Sequence, residues 1–89
     1  MPSLAIATST VSFKNNAGDF IDPLVVTMRY RSQESDWVTK TYPDDITRNS
    51  QGNYSYEVPC DRYGDWYVEW YCETAQLSKT IKTGFQVQQ

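Results

Sequence analysis

The sequence predicts an all-β fold, a sandwich of about seven antiparallel strands. Three observations carry that expectation. Apolar residues recur with period two, most cleanly over Leu24 to Arg31 and Trp66 to Cys72, which is the pattern of half-buried strands. Gly, Pro, Asn and Asp clusters punctuate the chain about every ten residues, the spacing of short strands in sandwiches and barrels. No window carries an apolar stripe at helical spacing. The 89 residues suffice for one domain, expected to span 1–89. Three Trp, seven Tyr and three Phe supply core area and favour strands.

Taken in order, Thr10 to Phe13 alternates and ends in the turn Asn15-Asn16-Ala17-Gly18-Asp19. After Asp22-Pro23, the next strand sets Leu24, Val26, Met28 and Tyr30 on one face and Val25, Thr27, Arg29 and Arg31 on the other. The polar loop Ser32 to Asp36 leads to a strand from Trp37 to Tyr42, closed by Pro43-Asp44-Asp45. Ile46 to Arg48 is a short edge strand, and Asn49 to Gly52 turns into Asn53 to Val58, which Pro59 ends. Cys60 to Asp65 connects to the longest strand, Trp66 to Thr74, and the last strand runs from about Thr80 to Val87. Val26, Met28, Tyr54, Tyr56, Val58, Trp66, Val68, Trp70, Ile81 and Phe85 are the expected core, with Thr27, Arg29, Glu69 and Lys82 exposed.

The stretch Gly64-Asp65-Trp66-Tyr67-Val68-Glu69-Trp70 resembles strand F of immunoglobulin-like and fibronectin-type folds. The resemblance implies an immunoglobulin-like β-sandwich in which Trp37 serves as the buried tryptophan of strand C. It departs from antibody domains, because Trp66 stands where the corner Tyr would be and Val68 where the second disulfide Cys would be. The order Asp22-Pro23-Leu24, Gly52-Asn53-Tyr54, Gly64-Asp65-Trp66 is similar to that of small immunoglobulin-like virion structural proteins of tailed bacteriophages. That likeness implies a capsid decoration or head–tail joining component, present in many copies, assembled in the host cytoplasm and held by other capsid or neck proteins.

Chemistry is hard to place on this chain. It has no His, so the usual acid–base group at neutral pH is missing and a Ser or Cys nucleophile lacks its usual partner. No Gly-rich phosphate loop occurs. The expectation is a protein that is not an enzyme, with no cofactor and no metal. Asp44, Asp45, Asp61 and Asp65 lack the spacing of a calcium loop and suit turns by bonding nearby backbone. The formal net charge of −3, without a basic run, argues against nucleic acid. No apolar run approaches a membrane span, and Met1 to Ala7 lacks a leader's basic start and apolar core. Cys60 and Cys72 are expected as free thiols. The six steps from Trp66 to Cys72 cover about 20 Å in a strand, against the roughly 7 Å a disulfide allows.

If Trp66, Val68 and Trp70 fill the core, Tyr67 and Tyr71 point outward. Lys40 is costly to bury and turns Val38 and Tyr42 outward with it. With the Trp37–Tyr42 strand beside the longest strand, Val38, Lys40, Tyr42, Tyr67 and Tyr71 form one exposed strip, the expected partner-binding site. A bland reading competes: Tyr suits exposed strands through cross-strand pairing. Aromatic strips also hold sugars, so a carbohydrate- or host-surface-binding module is the alternative function.

Overall fold

The computed structural model describes residues 5–75 and 78–88. The first residues of the segment read above for a leader, 1–4, lie outside them. Seven strands occur: β1 (Ala5–Ser12), β2 (Val25–Ser32), β3 (Val38–Thr41), β4 (Thr47–Ser50), β5 (Asn53–Cys60), β6 (Gly64–Glu73) and β7 (Ser78–Val87). They make two antiparallel sheets, one of three strands in the order β1-β5-β4 and one of four in the order β3-β2-β6-β7. No described residue is helical.

The register follows the period-two reading. Val26, Met28 and Tyr30 of β2 lie opposite Cys72, Trp70 and Val68 of β6, and all six are buried. Val11, Tyr54, Val58 and Cys60 close the core from the other sheet, joined by Phe13 and Ile46 at its ends. Trp70 links the layers through its indole N–H, which donates to Ser9 Oγ at 2.9 Å.

Several expectations change. Ile81 and Phe85 are only half-buried, because they lie on the edge strand β7, which has a neighbouring strand on one side only. Phe85 lies parallel to the buried Trp66 at 6.3 Å between ring centres. Tyr56 is also half-buried, stacked on Tyr30 at 5.9 Å. Thr27 and Glu69 are half-buried rather than exposed, since both lie on strands flanked by neighbours on both sides. Pro59 does not end its strand. β4 pairs only as far as Ser55, so beyond it one side of β5 has no ladder that a missing N–H would break. Cys60 therefore belongs to β5 and is fully buried, not part of a connection. Cys60 and Cys72 are free, and burial pushes both thiols up from their ordinary pKa.

Trp37 is not the buried tryptophan. It precedes β3 and lies outside the sandwich, with the Arg29 guanidinium 4.1 Å and the Arg31 guanidinium 5.2 Å from its ring centre. The tryptophans buried in the core are Trp66 and Trp70.

Asp22 ties three segments together. Its carboxylate accepts from Arg48 Nε at 3.1 Å and Nη2 at 2.8 Å, from the Gly52 N–H at 2.9 Å and from the Tyr54 hydroxyl at 2.9 Å. Hydrogen bonds from Arg48, then from the Gly52 amide, hold the Asp22 carboxyl well below the usual carboxylate range. Burial, followed by the bond to Asp22, pushes the Tyr54 phenol up to about 12. A carboxyl depressed in the folded state contributes stability that is complete above its unfolded pKa of about 3.9 and is lost as pH falls below it. Denaturant midpoints should therefore drop on acidification, and less steeply in Asp22→Asn. Equal acid slopes in the two proteins would remove Asp22 from this role.

Candidate functional site

The outer face of the four-stranded sheet is the candidate site. Because β2 and β6 are central, their outward residues fall into rows that the registers align. One row reads Arg31, Tyr67, Gly84; the next reads Thr39, Arg29, Glu69, Lys82; the third reads Thr41, Thr27, Tyr71, Thr80. Trp37 stands at the end of the first row, one residue before β3.

These side chains are locked to one another. The Arg31 guanidinium sits between two rings, 5.2 Å from Trp37 and 5.4 Å from Tyr67. Arg29 covers Trp37 and donates through Nε and Nη2 to Glu69 Oε1 at 3.2 and 2.9 Å. The Arg31 Nε atom is buried without a hydrogen-bond partner. Tyr71 donates to Glu73 Oε1 at 3.2 Å. Cation–aromatic contacts at sites open to water are worth about 0.5–1 kcal/mol each. Their larger effect here is to hold long, rotamer-rich side chains in one geometry before any contact is made. Two shallow depressions flank the Arg29–Glu69 pair, one toward Tyr71 and one between Trp37 and Tyr67. In these rows Arg29, Arg31 and Lys82 stand with Glu69, and Asp65 and Glu73, of the same parity on β6, add a carboxylate at each end of the face, so its cations lie at the centre and its outer rows are acidic.

The expected strip of five residues is split between two faces. Tyr67 and Tyr71 are on the outer face, paired with Arg31 and Thr27. Val38 and Lys40 lie opposite the core residues Tyr30 and Met28, so they share the inward parity. Tyr42 bonds through its N–H to Val26 O at 3.0 Å and packs edge-on against Tyr54, ring centres 5.3 Å apart. The cause of the split is the parity of β3, which sets Lys40 opposite Met28; in addition β2 lies between β3 and β6, so the two strands expected side by side are not neighbours. Val38 and Tyr42 keep their exposure because they sit at the open edge of the sheet. The residues the sequence reading missed are Trp37, Arg29 and Arg31. Their signal was present in the alternation of β2, which puts both arginines on the face away from Val26 and Met28.

Elsewhere, Asp61 accepts from Arg62 Nε at 3.4 Å, and Asp45 serves the backbone. Asp45 accepts from the Thr41 N–H at 3.3 Å, while its own N–H donates to Thr41 O at 2.8 Å. Among the described residues no group of three or more Cys, Asp or Glu is placed to hold a metal ion. No described helix is long and apolar enough to cross a membrane. Comparison with known proteins finds no matching family model, no matching curated protein and no matching solved structure.

Proposed function

We propose that this chain is a non-enzymatic immunoglobulin-like domain that docks through the outer face of its four-stranded sheet onto a protein surface. The observation that carries the reading is the Arg31 guanidinium held between Trp37 and Tyr67, with Arg29 beside it. Trp, Tyr and Arg are the residues that concentrate binding energy at protein interfaces. Here they are gathered on one face and fixed in advance. Strand order supports the immunoglobulin-like part. β1, β5 and β4 take the places of strands B, E and D; β3, β2, β6 and β7 take those of C′, C, F and G. The chain crosses between the sheets after β1, β3 and β5 and forms hairpins between the strands that remain.

The likeness to small virion proteins of tailed bacteriophages extends the proposal. The partner is then a capsid or neck protein, met in many copies. A sugar-binding role is less well supported, because Arg29 covers a face of the Trp37 ring that a sugar would need. The test is cosedimentation with particles assembled without this chain. Trp37→Ala combined with Tyr67→Ser should weaken attachment by more than about 2 kcal/mol, roughly thirtyfold in Kd. Val38→Thr, on the other side of the sheet, should leave it unchanged. Undiminished attachment of the double variant would remove the face from the function, and glycan-array binding with no attachment to particles would favour the sugar module.

A further inference from the structure

Four strand edges are open: β1 and β4 in one sheet, β3 and β7 in the other. An open edge presents unpaired N–H and C=O groups, and proteins block such edges with short strands, charged side chains, proline or bulges. Three of the four edges carry these devices. β3 is four residues long and includes Lys40. β4 is also four residues, includes Arg48 and shifts register between Arg48 and Ser50. β7 is long but carries Lys79 and Lys82. β1 has none of them. Its eight residues, Ala-Ile-Ala-Thr-Ser-Thr-Val-Ser, hold no charge and no proline, and they pair with β5 without a shift from Ala5 to Ser12. Among the described residues no strand pairs with its other side, and Ile6 is 63% exposed.

We propose that β1 of one copy pairs antiparallel with β1 of a second copy about a two-fold axis. The two three-stranded sheets then become one of six strands, ordered β4-β5-β1-β1-β5-β4. A second copy is the occupant because the strand complements itself. Across a two-fold axis a strand meets its own residues, so any charge near the centre meets its like at close range, which destabilises the pair. β1 has no charge to meet. Around Ser9 it reads Ala7-Thr8-Ser9-Thr10-Val11, nearly the same in both directions. Alignment centred on Ser9 sets Thr8 against Thr10 on the outside and Ala7 against Val11 on the core side. The contact is isologous, so it closes at a dimer and does not propagate. β1 lies in the sheet that does not carry the Trp37–Arg31–Tyr67 face, so both copies keep that face free.

Sedimentation equilibrium of the full chain should show a reversible monomer–dimer equilibrium on raising the concentration toward about 1 mM. Thr8→Lys with Thr10→Lys sets four ammonium groups together at the axis and should weaken dimerisation more than about tenfold. The lysine introduced at Thr8 faces Glu57 on β5, which supports the fold of the monomer. Thr47→Lys, on the already charged edge strand β4, should leave dimerisation unchanged. Amide exchange of the unmodified chain gives a readout free of any variant: at high concentration the added protection should appear in β1 and not in β3, β4 or β7. A monomer at the highest concentration overturns the proposal. So does a dimer indifferent to the two lysines, or β1 protection that appears only with a different protein present.

Discussion

Trp70→Ala should cost about 3–5 kcal/mol in urea unfolding, the range for emptying a buried aromatic site. That is comparable to the whole stability of a small domain, so the variant should be largely unfolded at room temperature. The indole is 1% exposed on the central strand β6, flanked by Met28 on β2 and Ile81 on β7. It also makes the hydrogen bond to Ser9 that joins the two layers. Alanine leaves a cavity in both sheets at once, and strands pinned by continuous ladders have little freedom to collapse into it. Trp70→Phe separates the two contributions: it keeps most of the apolar fill and leaves Ser9 without its donor, and should cost nearer 1–2 kcal/mol. A loss below about 1 kcal/mol for the alanine variant would mean that Trp70 is not the centre of the core.

Gly52→Ala should be the second most damaging change, at about 2 kcal/mol or more. Gly52 has φ +77°, a conformation that costs an L-residue about 1–2 kcal/mol. A Cβ there would also stand 2.8 Å from Phe13 O and 3.0 Å from Ile21 O, both backbone atoms. These atoms cannot swing aside, because Phe13 N–H donates to Gly52 O and Ile21 N–H donates to Phe13 O. The Gly52 N–H is in addition one of the donors to Asp22. Gly18 provides the internal comparison. It has φ +87°, but a Cβ at that position would meet nothing within 4 Å, so Gly18→Ala should cost only the conformational part. Equal losses at the two positions in thermal unfolding would show that the close approach at Gly52 relaxes freely.

The parity of β2, β5 and β6 was legible in the sequence; the parity of β3 and the neighbours of each strand were not. Alternation over Leu24 to Tyr30 and Trp66 to Cys72 states which side chains face inward, since a strand's side chains alternate whatever lies next to it. It does not state which strands pair. The expected strip at Val38, Lys40, Tyr42, Tyr67 and Tyr71 required the Trp37–Tyr42 strand to touch β6, and β2 takes that place. Once β2 is central, Arg29 and Arg31 come beside Glu69 and Tyr67 through the register alone. Lys40 misled for a related reason. A lysine opposite the core residue Met28 can keep its ammonium in water when its strand is an edge. Trp37 misled because size and aromaticity read as core, while two guanidiniums offer a ring an alternative cover. Asp22 was read as half of a turn. Its bonds to Arg48, Gly52 and Tyr54 join positions some 30 residues apart and leave no local trace.

The pairing of β1 with β5 also sets a schedule. Ser12 and Asn53, bonded through their side chains, are separated by 41 positions, and the Trp70 bond to Ser9 spans 61. On a ribosome adding about 5–20 residues per second, β1 emerges seconds before the strand that pairs with it. Distant pairing of this kind also makes folding slow, because a long loop must close before any contact repays it. During that interval β1, long and uncharged, has neither side of its backbone satisfied within its own molecule.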